Sequence, residues 1–315
     1  MPLNHQFLDQ ILRGDKAALA KAISIIENDH RDARPLLRQL YPHTGKAYRI
    51  GITGPPGAGK STISNKLAKL YRTARKRVGI IAVDPTSPFT GGALLGDRVR
   101  MTDVELDSGV FIRSMASRGS LGGLSRNTGE AADVLDASGC DMVLLETVGV
   151  GQSELDIVRA ADTTVVVLTP ESGDSIQAMK AGLMEIADFF ILNKADRAGA
   201  EQAVMAIKMV MSFRPPHNGW NVEVIQSVAN DDNGIDKIAE NIAAHQSFLI
   251  QTDRLRRKRK DRIAERVREL IGERLRGSFW TDDREKHLAA KVDEVVAQQL
   301  TPYDLVDDLL KDFSA

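Results

Sequence analysis

The segment GPPGAGKS (54–61) constrains the fold of this 315-residue chain more than any other feature. It fits the pattern GxxxxGKS and stands between an apolar run (48–53) and a stretch with helical spacing (61–75). Glycines in such a loop let backbone N–H groups turn toward phosphates, and the following helix presents its positive N-terminal end. The sequence therefore predicts a strand, a phosphate-binding loop and a helix. The residues predicted to contact a nucleotide here are Gly54, Pro55, Pro56, Gly57, Ala58, Gly59, Lys60, Ser61 and Thr62.

Seven short apolar or β-branched runs alternate with helical patterns along the chain. This alternation is typical of a mainly parallel sheet with helices on both faces. We therefore predict an α/β fold with a doubly wound, mainly parallel sheet, whose ligand crevice lies beyond the carboxyl ends of the strands. The predicted strands are YRIGIT (48–53), VGIIAV (78–83), VFIRS (110–114), MVLLET (142–147), TVVVLT (164–169), FFILN (189–193) and VEVIQS (222–227).

Helical segments are predicted before and after this core. Three apolar groups near the N-terminus predict short amphipathic helices that pack on the core. In the C-terminal part, two apolar stripes predict further helices, with helix starts at Thr281 and at Thr301-Pro302. The apolar positions are Leu8, Ile11, Leu12, Leu19, Ile23, Ile26, Leu36, Leu37 and Leu40, then Ile263, Val267, Leu270, Ile271 and Leu275, then Leu288, Val292, Val295 and Val296.

The C-terminal helices are too few to build an ample core alone, so their apolar faces must cover the main domain or another subunit. We predict a homodimer. The chain then divides into an N-terminal helical segment (1–45), a P-loop domain (46–250) and a C-terminal helical dimerisation extension (251–315).

The segment NKAD (193–196) ends a predicted strand and matches the NKxD element of GTPases. A carboxylate such as that of Asp196 can accept two hydrogen bonds from guanine's N1–H and exocyclic amine, whereas adenine offers no such pair. We therefore predict that GTP and GDP are the bound nucleotides. The residues assigned to the base side of the site are Asn193, Lys194, Asp196, Ser227, Val228 and Ala229.

Several acidic residues are candidates for a Mg²⁺ site. Glu146 ends an apolar strand and precedes Gly149, at a place where P-loop proteins use a carboxylate to orient Mg²⁺ or its water and a glycine N–H to sense the γ-phosphate. Glutamate stands where aspartate is commoner, so direct metal ligation stays open. Asp84 and Asp97 lie in segments that should converge on the phosphates. The predicted metal ligands are Ser61, Asp84, Asp97 and Glu146, and the predicted catalytic residues are Lys60, Asp84, Glu146 and Gly149.

Val150 directly follows Gly149, and a valine cannot orient the attacking water. Since positioning and charge stabilisation supply most of phosphoryl-transfer catalysis, we predict slow intrinsic hydrolysis that a partner completes or that Asp84 assists. Three glycine-containing segments after predicted strands (89–101, 117–125 and 171–182) are predicted switch loops.

In these motifs the chain resembles the MeaB/ArgK family, which includes the human methylmalonic aciduria type A protein. The matching elements are GITGPPGAGKS, AVDPTSPFTGG with LLGDRVRM, ETVGVGQSE, ESGDSIQAMKAG and NKAD. The resemblance implies a homodimeric GTPase, held together by C-terminal helices, that gates adenosylcobalamin delivery to methylmalonyl-CoA mutase or a related acyl-CoA mutase and protects it. It also implies that segment 171–182 communicates with the mutase.

Three other functions fit parts of the sequence. A nickel-type metal-delivery GTPase needs soft or imidazole ligands, but the six histidines are scattered and the chain has one cysteine. A P-loop kinase would need an adenine-tolerant site in place of NKAD. The basic run RLRRKRKDR (254–262) could contact RNA, but it lacks interleaved aromatic residues, and we interpret it as a solvated helical face.

Composition limits the partners and the cellular location that we expect for the protein. The formal net charge of −1 gives no global reason to expect nucleic acid or a membrane as the partner. One cysteine, Cys140, excludes an internal disulfide framework, and no signal peptide or membrane span is evident. We therefore expect a cytoplasmic protein.

Overall fold

The structure is a computed structural model and describes residues 5–85, 104, 106–117, 123–147, 153–172, 183–212, 219–311 and 313. Within these residues, parallel strands form one seven-stranded sheet in the order β3-β2-β4-β1-β5-β6-β7. Each predicted apolar run forms one of the strands, although several strand ends differ by a few residues. The strands are β1 (Tyr48–Thr53), β2 (Val78–Pro85), β3 (Val110–Ser117), β4 (Met142–Thr147), β5 (Thr163–Leu168), β6 (Phe189–Asn193) and β7 (Val224–Ser227).

Helices cover both faces of the sheet. The predicted helix at 61–75 is α4. The segment 176–187 also has the apolar spacing of a helix in the sequence, and the structure describes α7 within it, since residues 173–182 lie outside the described part. The helices are α1 (His5–Arg13), α2 (Lys16–Glu27), α3 (Ala33–Leu40), α4 (Lys60–Thr73), α5 (Gly123–Ala137), α6 (Ser153–Ala160), α7 (Leu183–Ile186), α8 (Ala200–Ser212), α9 (Ile235–Gln251), α10 (Arg254–Phe279), α11 (Asp282–Val296) and α12 (Pro302–Leu310).

The strands are mostly apolar because neighbouring residues of one strand enter cores on opposite faces. In β4, Val143 and Leu145 pack with α1, α2, α3, α5 and α6, whereas Leu144 packs with α4 and α9. Every residue of β4 is buried. Because both faces are covered, the strands are recognisable in the sequence as short, mostly apolar or β-branched runs.

The N-terminal helices α1 to α3 lie over one face of the sheet, as predicted. Their apolar stripes join the buried cluster that also contains Ile81 and Val143 of the sheet. Ile11, Ile23 and Leu36 are fully buried there. These helices therefore belong to the same compact unit as the sheet, which spans Met1–Lys258.

The second compact unit spans Arg259–Ala315. Its helices begin where the caps were predicted: the side chain of Thr281 accepts a hydrogen bond from Arg284 N–H, and Thr301 forms a capping box with Asp304. Inside the unit, the ring of Phe279 lies 5.1 Å from that of Phe313, edge to face.

None of the helices that the structure describes has the length and apolar character needed to cross a bilayer.

The strand order brings the carboxyl ends of β1, β4, β6 and β7 to one edge of the sheet. Ile52, near the end of β1, pairs with Glu146 of β4, and Asn193 at the end of β6 pairs with Ser227 of β7. Because all the strands are parallel, the loop after β1 emerges at the same edge as the ends of β4, β6 and β7. This is the edge where open α/β sheets bind ligands.

Candidate nucleotide-binding site

A polar cleft of about 600 Å³ lies at this edge of the sheet. Four segments form its walls: the loop after β1 with the start of α4, the end of β4, the loop after β6 and the loop after β7. The lining residues are Pro56, Gly57, Gly59, Lys60, Ser61, Thr62, Glu146, Asn193, Lys194, Asp196, Arg197, Val228, Ala229, Asn230 and Asp231.

Two glycines give the phosphate loop its shape. Gly54 has a φ of +133°, and a Cβ on it would lie 2.0 Å from the carbonyl oxygen of Val167 in β5. Gly59, at φ +93°, precedes α4, and a Cβ there would lie 2.2 Å from the Asn193 side-chain nitrogen. Side chains at these positions would force the loop away from β5 and β6, so the glycine pattern is a steric requirement of the fold.

Lys60, the first residue of α4, crosses back over the phosphate loop. It is 5% exposed, and its Nζ donates to the carbonyl oxygens of Gly54 and Pro55, at 2.8 Å each. These bonds hold an ammonium group at the base of the loop, where it can meet phosphate oxygens. The positive end of α4 adds to the attraction for an anion.

Ser61 and Glu146 meet at the floor of the cleft. The Ser61 hydroxyl donates to Oε1 of Glu146 at 2.5 Å. Glu146 is 3% exposed. A hydroxyl that donates its proton keeps lone pairs for a cation, so Ser61 can ligate a metal while it stays bound to Glu146.

This donor set fits Mg²⁺, a hard cation that takes oxygen ligands and usually keeps several waters and phosphate oxygens. In the described part of the chain, no three His, Cys, Asp or Glu side chains gather as a metal-binding group. A Mg²⁺ ion held by a hydroxyl, a nearby carboxylate and a nucleotide does not need such a group. The predicted contributions of Asp97, Gly149 and the Asp84 side chain lie outside the described residues; the Asp84 backbone lies in β2.

Asn193 occupies the junction between the base side and the phosphate side of the cleft. Its Nδ2 donates to the carbonyl oxygen of Ala58 at 2.9 Å. Its Oδ1 accepts from the Ala229 N–H at 3.1 Å and from the Ser227 hydroxyl at 3.2 Å. Asn193, Ser227 and Ala229 are all buried.

The next residues of the loop turn the chain so that a carboxylate lines the cleft. Lys194 has a left-handed backbone, at φ +58°, and the N–H of Ala195 donates to the Ser227 carbonyl oxygen at 3.0 Å. Asp196 is exposed on the cleft wall. An exposed carboxylate in that wall can accept a pair of N–H donors from a purine.

Four of the predicted contact residues do not line the cleft. Gly54, Pro55 and Ala58 shape the phosphate loop through the contacts with β5, Lys60 and Asn193 described above. Ser227 is buried behind Asn193. Their role in this structure is to hold the wall in place.

Three lining residues were missed by the sequence interpretation: Arg197, Asn230 and Asp231. Arg197 directly follows NKAD, and Asn230 and Asp231 are the two residues after Ser227-Val228-Ala229. Arg197 forms an ion pair with Glu171, in the turn Pro170–Ser172 after β5. The hydrogen bond from Arg197 lowers the pKa of Glu171 to about 2. The pair joins the loop after β6 to the start of the predicted switch segment 171–182.

Comparison with known proteins gives a consistent match over most of the chain. The sequence profile of the family described as methylmalonyl Co-A mutase-associated GTPase MeaB matches residues 19–284. A protein of Pyrococcus abyssi that carries a provisional GTPase name is 45% identical over 310 residues, which cover 98% of this chain and 96% of that protein. The mitochondrial methylmalonic aciduria type A homolog of Mus musculus is 32% identical, over 98% of this chain and 80% of its own length.

A solved structure supports the same architecture. The crystal structure described as a LAO/AO transport system kinase matches with a TM-score of 0.74 at 27% identity and covers 99% of both chains. The predicted α/β sheet and the helical C-terminal part are therefore confirmed. The name kinase describes that protein and does not assign kinase activity to this chain.

Proposed function

Because the chain belongs to the family of methylmalonyl-CoA mutase-associated GTPases named MeaB, we propose that it is a cytoplasmic, Mg²⁺-dependent chaperone that couples GTP hydrolysis to adenosylcobalamin delivery. Its client is methylmalonyl-CoA mutase or a related acyl-CoA mutase, which it also protects. One observation carries the nucleotide part of this proposal: Lys60, the Ser61–Glu146 pair and Asp196 line a single cleft.

Guanine selectivity rests on Asp196. Its carboxylate accepts hydrogen bonds from guanine N1–H and the exocyclic amine, while Val228 and Ala229 form the wall beside the base. Adenine would leave that carboxylate without its donors. A site built for a donor pair rejects a ligand that lacks the pair strongly.

Phosphates and Mg²⁺ occupy the other half of the cleft. Lys60 neutralises the β- and γ-phosphate oxygens, backbone N–H groups of the loop surround them, and Ser61 provides a metal ligand that Glu146 orients. When bound, Mg²⁺ neutralises charge on the phosphates. Asp84 and Asp97 complete the metal region in this proposal, and Gly149 senses the γ-phosphate.

Hydrolysis by the isolated protein is slow in this proposal, because Val150 stands after Gly149 and has no group that orients water. The client completes the site or rearranges it. Segment 171–182 is the proposed route to the client, and the ion pair of Arg197 with Glu171 supports this because it links that segment to the nucleotide cleft.

A homodimer formed through the C-terminal unit would explain why apolar side chains are exposed on that unit. Ile263, Val267 and Ile271 follow at spacings of four residues along α10, and each is about half exposed in the single chain. Val296 of α11 is 78% exposed. A second copy of the same unit would cover these side chains. Analytical ultracentrifugation of the protein and of Val267→Asp tests this proposal: a dimer that the substitution dissociates supports it, and a monomeric starting protein contradicts it.

Reconstitution with purified mutases tests the chaperone function. We expect a client mutase to accelerate GTP hydrolysis and to receive adenosylcobalamin only when GTP is present. Lys60→Ala is the matched control, because it removes the phosphate contact and should abolish both effects. If no acyl-CoA mutase changes the GTPase rate or shows nucleotide-dependent cofactor transfer, the chaperone proposal fails while the GTPase assignment stands.

Competition between GTP and ATP separates this function from that of a P-loop kinase. We expect unlabelled GTP to displace a fluorescent guanine nucleotide and ATP to fail at the same concentration. Equal displacement by the two nucleotides would favour the kinase.

A further inference from the structure

Ser64 lies directly behind the Ser61–Glu146 pair. It follows Ser61 by three residues on α4, so both hydroxyls lie on the same face of the helix. The Ser64 hydroxyl donates to Oε2 of Glu146 at 2.9 Å, while that of Ser61 donates to Oε1. Both oxygens of one carboxylate are therefore held by two serines one helical turn apart.

The burial of Ser64 makes this contact more than a surface hydrogen bond. Ser64 is fully buried and Glu146 is 3% exposed. A buried hydrogen bond to a charged group stabilises the folded protein more than an exposed one does. Its loss would leave the Glu146 carboxylate with one hydrogen-bond donor fewer. A serine inside a helix commonly donates to the preceding turn, as Ser247 does to the Ala243 carbonyl oxygen at 2.9 Å. Ser64 instead donates across to β4.

The contact also bears on the identity of Glu146, which stands where aspartate is commoner. Glutamate has one more rotatable bond than aspartate, so its carboxylate needs more restraint to hold one orientation. A bond to each carboxylate oxygen fixes both the position and the plane of the group. Fixed second-layer partners of this kind commonly tune the affinity of a metal site.

We propose that Ser64 is a positioning residue that fixes the Glu146 carboxylate for Mg²⁺ beside the nucleotide. This inference rests on the Mg²⁺ site that is part of the proposed function. Ser64 does not line the cleft, so it acts through Glu146 and does not contact the nucleotide.

The test measures GDP affinity with a fluorescent guanine nucleotide, first in EDTA and then over a titration of Mg²⁺ up to saturation. We expect Ser64→Ala to need about tenfold more Mg²⁺ for half-maximal tightening of GDP binding, with its affinity in EDTA unchanged. Ser64→Cys keeps the size of the side chain but replaces the O–H with a weak donor, so it should shift the Mg²⁺ requirement in the same direction. The Ser64→Cys variant therefore serves as the test if Ser64→Ala does not fold.

Ser138→Ala is the matched control. Ser138 is also a fully buried serine, and its hydroxyl donates to the Leu135 carbonyl oxygen at 2.7 Å, away from the cleft. It should leave the Mg²⁺ requirement unchanged. The inference is overturned if the Ser64 variants show the wild-type Mg²⁺ requirement, or if their affinity in EDTA falls by the same factor as in Mg²⁺. A wild-type protein whose GDP affinity ignores Mg²⁺ would overturn the metal site itself.

Discussion

Asn193 reaches from the end of β6 into the phosphate loop, where its Nδ2 donates to the carbonyl oxygen of Ala58 at 2.9 Å. The same side chain accepts from Ala229 N–H after β7. One buried amide therefore joins three loops that are far apart in sequence. It fixes the distance between the base side and the phosphate side of the cleft.

Asn193→Ala removes these bonds and leaves buried polar groups of the loops without their partner. We expect GTP and GDP to bind about tenfold more weakly, and by the same factor, because the bond supports the whole cleft and not the γ-phosphate. Calorimetric titration with each nucleotide measures this. Asn241→Ala is the control, since that amide donates to Glu223 on an exposed surface. Wild-type affinity in Asn193→Ala would show that the junction does not support binding.

Asp196→Asn should weaken the selectivity for guanine, because an amide cannot accept two N–H donors as a carboxylate does. Inosine triphosphate lacks the exocyclic amine of GTP and serves as the probe. We expect the wild-type protein to prefer GTP over inosine triphosphate by about tenfold or more, and the variant to lose most of that preference. An unchanged preference in competition binding would exclude Asp196 from base recognition.

The ion pair between Glu171 and Arg197 gives a prediction for pH. The hydrogen bond from Arg197 lowers the pKa of Glu171 from its ordinary value of 4.5 to about 2. A carboxyl group whose pKa is lowered on folding contributes stability above its ordinary pKa and loses that contribution as the pH falls through the lowered one. The contribution should therefore be intact at neutral pH and decline between 4.5 and about 2.

Carbon NMR of the Glu171 carboxyl group at pH 4.5 measures this directly. The wild-type group should be ionised at that pH, and Arg197→Ala should return the pKa toward 4.5, so that the group is about half protonated. If Glu171 titrates near its ordinary value in the wild-type protein, the pair is not formed in solution.

Arg49 of β1 lies in a buried cluster of charges at the opposite end of the sheet from the cleft. Its Nη2 lies 2.6 Å from Asp133 Oδ1, and its backbone N–H donates to Asp162 at 3.1 Å. Burial acts to lower the pKa of Arg49, but the charge and hydrogen bond of Asp133, together with Asp162 and Asp136, raise it above the ordinary value. Asp136 in turn accepts from the Ala47 N–H at 2.9 Å.

Arg49→Ala should destabilise the protein by about 3–5 kcal/mol, because it leaves buried carboxylates without their cation. Urea unfolding of the variant measures the loss. Arg197→Ala is the control, since an ion pair on an exposed surface contributes little. Similar unfolding midpoints for the two variants would contradict a stabilising role for the buried cluster.

Much of the fold could be predicted because its signals are local. The run MVLLET begins with four consecutive apolar residues, which indicates a strand buried on both faces, and the structure has β4 at those six residues. The capping residues Thr281 and Thr301 also act within one helical turn. The phosphate loop and NKAD could be recognised because their chemistry requires fixed residues at fixed spacings.

Contacts made by long-range packing could not be predicted in this way. Ser64 is an ordinary polar residue in a helical pattern, and only the packing of α4 on β4 brings it to Glu146. The sequence favours a solvated face for the basic run 254–262, yet Lys258 Nζ donates to the Asp162 carbonyl oxygen at 2.8 Å and lies 3.7 Å from Asp188 Oδ2. Nothing near residue 258 in the sequence indicates those partners.

Calorimetric titration of the purified protein with GDP and with ADP, each in the presence of Mg²⁺ and again in EDTA, tests the central claim most directly. The account predicts that GDP binds, that Mg²⁺ tightens its binding, and that ADP gives no saturable heat at the same concentrations. Equal binding of GDP and ADP, or no binding of either nucleotide, would contradict it.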